Sequence, residues 1–257
     1  MFYCPKHNVI IQVAPKCGEE SVRYLILGEE NIENPHNIWK NVKEIQIPKS
    51  LLLIPKIICI VRNPYNRLVS GYIDKFLTGN YHHLPFCKKV KEYYKRDDDN
   101  KRITFKEFVN YIISQPYDSL DPHFKPQFLQ HNLNNSVCIL KLENISEIER
   151  ILCIVGFKNK FINYRDEHLY KFKKKKYNNN VYDMYYKDFD IAENRNNREE
   201  LRPSGCDGVG YQNANIPYYD DFYDEELKKK IYSYYKDDFK IFNYEIKWIF
   251  YFYFYIL

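Results

Sequence analysis

Two strand-to-helix junctions in this 257-residue chain each carry a cation and a hydroxyl, and these are the residues with the clearest capacity for chemistry. In the first, Val9-Ile10-Ile11-Gln12-Val13-Ala14 reads as a buried strand, followed by Pro15-Lys16-Cys17-Gly18-Glu19-Glu20-Ser21-Val22-Arg23. A strand, a tight turn with one glycine and then a helix aims backbone N–H groups at a phosphate. It is not a Walker A loop, because the lysine precedes the glycine. In the second, Ile57-Ile58-Cys59-Ile60-Val61 has the length and β-branched content of a buried parallel strand, with Arg62 at its carboxyl end. Asn63 as N-cap and Pro64 as first helical residue predict a helix at once. Tyr65, Leu68, Val69, Tyr72, Ile73 and Phe76 form one apolar stripe, which leaves Asn66, Ser70 and Asp74 on the other, exposed side. A guanidinium at the strand end and a hydroxyl on the helix can grip one anion together. Either junction alone is equally an ordinary strand-turn-helix with a solvated face; the pair is the stronger signal.

The elements that must position them follow from the rest of the chain. Ser21 to Leu27 continues as a helix to Gly28, and Glu44 to Ile47 is a possible short strand. Lys88 to Arg102 reads as a charged, solvated insertion, its acidic run Asp97 to Asp99 a loop. Thr104-Phe105-Lys106-Glu107 has capping-box spacing and opens an amphipathic helix through Phe108, Val109 and Ile112. Asp121 to Gln127 is a proline-bounded loop, and Ser136 to Leu142 a third buried strand. Ser146-x-x-Glu149 predicts a second capping box, on a helix that stops at Gly156. The Lys173 to Lys176 run reads first as a solvated loop, with an acceptor-binding strip as the sharper alternative. Asp224 caps a last helix that turns Leu227, Ile231 and Tyr234 or Tyr235 inward. These elements predict an α/β fold, a parallel sheet covered by helices on both faces, with ligand sites at the strand carboxyl ends.

Composition sets outer bounds. The length fits one large domain over 1–247, followed by an aromatic tail over 248–257 that is too short to span a bilayer. Core or partner packing is its first reading. With 26 tyrosines, burial must rely on aromatics. The net charge of +5 favours an anionic cofactor or polyanionic acceptor, and nothing points to nucleic acid. Seven cysteines without CxxC spacing argue against a zinc site, and no metal-binding cluster is evident; Cys59 and Cys138 read as buried small hydrophobes. MFYCPKHN has neither a charged region nor a following apolar stretch, so a soluble chain without signal peptide or amino-terminal anchor is expected, in an unassigned compartment that includes the cytoplasm.

The two junctions resemble the cofactor loops of the sulfotransferases that use 3′-phosphoadenosine 5′-phosphosulfate (PAPS), specifically the membrane-bound carbohydrate sulfotransferases. PKCGEES resembles their 5′-phosphosulfate loop, and VRNPYNRLVSGYIDKF matches nearly every constrained position of their 3′-phosphate motif. Weaker likeness runs through ITFKEFVNYI, DPHFKPQ and YSYYKDDFKIFNYE, and Arg202-Pro203-Ser204-Gly205 loosely resembles a late basic loop of such enzymes. The resemblance implies a P-loop-like three-layer fold and transfer of a sulfuryl group to a hydroxyl, that of a glycan. It implies that Lys16 neutralises charge on the phosphosulfate bridge, and that amides from Cys17, Gly18, Glu19, Glu20 and Ser21, with the Ser21 hydroxyl, hold the 5′-phosphate. Arg62 and Ser70 would hold the 3′-phosphate. Glutamate at position 20, where the family has threonine, repels a phosphate unless it turns outward or pairs with a cation such as Arg23. Gln130 stands where relatives often carry a cysteine, which argues against a family disulfide. For the general base, His36 in HNIW is favoured over His123 in DPHFKPQ; a surface role for His36 and a loop-fixing role for His123 remain open. A P-loop-like phosphotransferase and a non-catalytic nucleotide- or polyanion-binding descendant are the competing readings.

Overall fold

The computed structural model describes residues 1–29, 56–77, 85–96, 103–133, 136–161, 173–174, 176–177, 180–184 and 215–244. At its centre four strands lie in the order β1-β2-β3-β4: β1 (Phe2–Cys4), β2 (Val9–Val13), β3 (Lys56–Val61) and β4 (Val137–Lys141). The last three are parallel, with Ile11 opposite Ile58 and Ile58 opposite Cys138. β1 runs antiparallel to β2, so the sheet is mixed and not wholly parallel as expected. The reason is the connection: only Pro5 to Asn8 separates the strands, whereas a parallel crossover needs about a dozen residues. Asn8 supplies the left-handed conformation that this turn demands, at φ 50°.

Helices flank the sheet: α1 (Glu19–Glu29), α2 (Pro64–Tyr72), α3 (Pro85–Tyr93), α4 (Phe105–Ser114), α5 (Ile145–Ile154), α6 (Glu225–Tyr234) and α7 (Lys236–Ile241). The strand period of two divides β3 between layers. Ile58 and Ile60 join Val22, Leu25 and Ile26 of α1 and Ile148 and Leu152 of α5 in one aliphatic core. Cys59 and Val61 pack with Phe242, just beyond α7. A larger core between α2, α4 and α6 is aromatic, built on Tyr72, Phe76, Phe105, Phe108, Phe124 and Phe222. Its tyrosines also bond to main chain. Tyr72 donates to the Ile103 carbonyl (2.8 Å), Tyr223 to that of Tyr65 (2.6 Å), Tyr65 to that of Lys228 (3.1 Å) and Tyr235 to that of Phe124 (2.5 Å).

The helix starts at Asn63, Thr104 and Asp224 match expectation. The Asn63 side chain accepts from the Tyr65 amide, Thr104 and Glu107 form the reciprocal capping box, and Asp224 accepts from Leu227. Other expectations fail. Asn144, two residues before Ser146, caps α5 by accepting from the Glu147 amide, and the helix does end before Gly156, at φ 107°. The first part of the supposed insertion, Lys88 to Tyr93, belongs to α3, whose Phe86, Cys87 and Val90 are buried beneath a charged outer face. In β4, Cys138 and Ile139 are exposed, so this strand is not fully buried. Lys173–Lys174 pairs in parallel with Asn215–Ile216 (β5 and β6), so the basic run begins in a strand. The strand expected at 44–47, the acidic run 97–99, the loop 202–205 and the tail 248–257 lie outside the described residues. Among the described residues no helix is long and apolar enough to cross a membrane.

Candidate active site

The parallel register brings the ends of β2, β3 and β4 to one edge of the sheet, where three loops meet. After β2 the chain turns at Ala14, whose carbonyl accepts from the Cys17 amide at 3.1 Å. Lys16 takes the left-handed conformation (φ 69°), rare for a residue with a Cβ, and Gly18 follows at φ 90°. The positive φ favours glycine at 18, and a Cβ there would also lie a tight 3.0 Å from the side chain of Leu142, just after β4. The helix α1 then opens, its first amides lacking intrahelical acceptors as at any helix start.

Side chains from β3 and α2 hold this turn. Arg62 Nη1 donates to the Lys16 carbonyl at 3.0 Å, and Arg67 Nε donates to that of Pro15 at 3.0 Å. Arg67, 2% exposed, also donates to the carbonyls of Lys125 (2.7 Å) and Pro122 (2.9 Å), so one guanidinium ties the β2–α1 turn to the 121–127 loop. Residues 67, 70, 71 and 74 share one face of the helix at three- and four-residue spacing. From that face Asp74 reaches Lys16, with Nζ to Oδ2 at 2.5 Å and the lysine side chain 8% exposed. Lys75 Nζ stands 3.4 Å from the same oxygen. Ser70 lies between Arg67 and Asp74. It is 1% exposed, so its expected position on a solvated face is corrected, because the 121–127 loop covers this side of α2. That cover is close: a Cβ at Gly71 would sit 2.4 Å from the Phe124 ring. The Ser70 hydroxyl has no hydrogen-bond partner among the described residues.

Gln127 is the hub beneath. Its Oε1 accepts from the Arg62 amide (2.9 Å) and the Cys17 thiol (3.0 Å), and its Nε2 donates to the Arg62 carbonyl (2.7 Å). Burial pushes the Cys17 thiol up to about 11, so it stays protonated as a donor at neutral pH. The Gln127 and Phe128 amides donate in turn to the two oxygens of Asp238, at 2.9 and 2.8 Å. Glu143, after β4, accepts from the Asn63 amide at 2.8 Å and from the Tyr244 hydroxyl at 3.1 Å, fixing the start of α2.

Lys16, Cys17, Gly18, Glu19, Glu20, Ser21, Arg62 and Ser70 thus belong to two adjoining junctions at one sheet edge. Arg23, expected as a partner for Glu20, pairs with Glu19 at 2.5 Å. His123 directs Nδ1 to Asp121 Oδ1 at 2.6 Å, with its side chain 30% exposed. Burial alone would raise the Asp121 carboxyl, but the hydrogen bonds from His123 and the charge of Lys75 bring it below its ordinary value. His36 lies outside the described residues. Among the described residues no cluster of metal-ligating side chains occurs. Sequence reasoning missed Arg67, Gln127, Glu143 and Asp238 as site architecture. For Asp238 a signal existed: with Tyr235, Phe239 and Phe242 it occupies a buried stripe at helical spacing, where an acid needs partners.

The chain has relatives among known proteins. Carbohydrate sulfotransferase 10 from Homo sapiens is 27% identical over 145 residues, covering 48% of this chain and 40% of that protein. The proteins of the same name from Pongo abelii and Rattus norvegicus are 27% and 29% identical over 145 and 133 residues, covering 48% and 44% of this chain and 40% and 37% of theirs. The chain therefore spans about two fifths of the length of the curated relatives it matches. No solved structure matches it. The family model described as "Sulfotransferase family" matches residues 1–245, and the chain belongs to that family.

Proposed function

We propose that this protein transfers the sulfuryl group of PAPS to a hydroxyl of a glycan acceptor, on a P-loop-like three-layer scaffold. The observation that carries the reading is the Ser70 hydroxyl, buried without a partner among the described residues on the helix face that also holds Lys16 through Asp74. A buried hydroxyl left unsatisfied costs about 1–3 kcal/mol, and an anionic oxygen would remove that cost. The donor set fits a bisphosphorylated nucleotide: Arg62 and Ser70 for the 3′-phosphate, and Lys16, the Ser21 hydroxyl and the amides of Gly18 to Ser21 for the 5′-phosphosulfate. The Cys17 amide is already bonded within its turn, so the residue serves the loop through its thiol. PAPS supplies an activated sulfuryl group. The chain's part is to hold donor and acceptor in line and to neutralise developing charge, which is the role of Lys16. The glycan acceptor rests on the names of the relatives and on the mildly basic charge.

The acceptor hydroxyl must lose a proton, and His123 has the supporting geometry. In the tautomer that donates Nδ1–H to Asp121, its Nε2 carries the free lone pair of a general base. Arg67 also ties the loop that bears it to the cofactor turn. Preferring His123 to His36 is testable: His123→Ala should cut turnover by about 10²–10⁴-fold with nucleotide binding intact. Full activity in that variant, with loss in His36→Ala, returns the role to His36.

The decisive experiment is incubation with radiolabelled PAPS and a mixture of carbohydrate acceptors, with transfer expected. Adenosine 3′,5′-bisphosphate should raise the melting temperature well beyond 5′-AMP, and Arg62→Ala should weaken its binding by roughly ten- to a hundredfold. Equal shifts for the two nucleotides would refute the roles of Arg62 and Ser70. Lys16→Ala should lower kcat more than it weakens binding.

A further inference from the structure

The cation assigned to the transferred group is already engaged by a carboxylate. Lys16 Nζ lies 2.5 Å from Asp74 Oδ2, at a site where the lysine side chain is 8% exposed and the aspartate 26% exposed. Asp74 has a second cation at hand in Lys75, 3.4 Å away. Both residues sit on the five-residue π-helical turn, Ile73–Leu77, that continues α2, and such turns break the regular side-chain spacing of a helix. The Lys16 main chain is separately fixed by Arg62 and held in the left-handed region, so the ammonium can swing while its backbone stays. Beyond Lys75 the alternation of charge continues to Asp121 and His123.

We propose that Asp74 is a positioning residue that holds Lys16 in the ligand-free protein and releases it when an anion enters the turn, with Lys75 remaining to balance the carboxylate. This rests on the sulfotransferase reading for the identity of the anion, but not for the latch itself. An unbalanced carboxylate within reach of a phosphate site would oppose binding by like-charge repulsion. Lys75 removes most of that cost, so Asp74 can compete for Lys16 without closing the site. The arrangement sets the resting direction of the ammonium and lowers anion affinity by the strength of one ion pair.

Two measurements on Asp74→Asn, which keeps the shape and removes the charge, test it. In ligand-free protein, brief treatment with an amine-acylating reagent, read by peptide mass spectrometry, should label Lys16 roughly three- to tenfold faster in the variant than in wild type, with Lys75 changed less. The dissociation constant for adenosine 3′,5′-bisphosphate should fall by roughly three- to tenfold, the scale of one partly screened ion pair. Asp74→Glu, which restores the charge, should remain within about twofold of wild type in both. A structural role for Asp74 predicts the opposite sign in binding: a loosened turn weakens affinity, as Lys16→Ala does. Unchanged labelling, weaker binding in Asp74→Asn, or an Asp74→Glu protein that behaves like Asp74→Asn each overturns the latch. If wild type shows no saturable binding of the bisphosphate, the nucleotide assignment falls, and the labelling comparison still decides the latch because it uses no ligand.

Discussion

Glu29 and Asp238 solve the same problem at two places with different results. Each is a buried carboxylate that accepts two consecutive backbone amides from a distant part of the chain. Glu29, at the end of α1, takes the Lys158 and Asn159 amides at 2.7 and 2.8 Å. Asp238, in α7, takes those of Gln127 and Phe128. Burial raises both. At Glu29 the hydrogen bonds of His7, the two amides and Lys6 overcome it and leave the carboxyl lowered to about 2. At Asp238, 0% exposed, burial outweighs the same kind of amide pair and the Arg67 charge, so its carboxyl stays above its ordinary value. One clamp is neutralised by side chains and staples the scaffold. The other stands under Gln127 and is part of the candidate site.

The largest test removes each carboxylate. Glu29→Ala and Asp238→Ala each strand two buried amides and should cost about 2–4 kcal/mol in urea unfolding. They part in binding: Asp238→Ala should weaken adenosine 3′,5′-bisphosphate at least roughly tenfold through Gln127 and Arg62, while Glu29→Ala should stay within about twofold. Equal effects on binding would erase the distinction.

Acid should separate the regions next. Burial, with the charges of Arg67 and the amino terminus, pushes the His131 imidazole down to about 4, on the Asp238 side of the molecule beside Phe242. The unfolded chain then binds the proton that the folded one refuses, so stability falls as pH drops from about 6.5 to about 4, by up to about 3 kcal/mol. Asp238 opposes this in part: its raised carboxyl holds a proton on folding, so its contribution to stability grows as pH falls through its raised value. Glu29 acts later, its contribution lost as pH falls from about 4.5 towards about 2. Urea titrations across pH should show the early loss, and His131→Leu should flatten it. A wild-type profile flat from pH 6.5 to 4 would contradict the burial of a neutral imidazole.

The smallest effect provides a control remote from both clamps. Thr104→Ala removes the α4 cap and should cost about 1 kcal/mol, with nucleotide binding unchanged. A binding defect there would mean that general loosening, and not Asp238, governs the site.

Much of the site was legible because its logic is local. Asn63-Pro64 after an apolar run starts a helix wherever it occurs, and the Thr104 and Asp224 caps act over three residues. The turn at Gly18 likewise announces itself. Part of what could not be read depends on partners more than fifty residues away. Ser70 looks solvated in helical projection, and only the 121–127 loop, tied down through Arg67, buries it. Gln127 gives no sign by itself that it spans Arg62 and Cys17. The charged face of α3 hid Phe86, Cys87 and Val90, whose spacing is too sparse to stand out. β1 was missed because three residues before a proline carry no periodicity.

The tyrosine-to-carbonyl bonds of the aromatic core bear on how this sequence can drift. A core of phenylalanine and leucine can exchange residues of like volume almost freely, because its contacts have no direction. Here the rings of Tyr72, Tyr223 and Tyr235 are each addressed to one named carbonyl. Replacing one by phenylalanine preserves the volume and erases the address, removing one donor from its carbonyl partner. Neutral paths through sequence space are therefore narrower at these positions than size and hydrophobicity imply. A repacked version of this protein would have to move ring and carbonyl partner together.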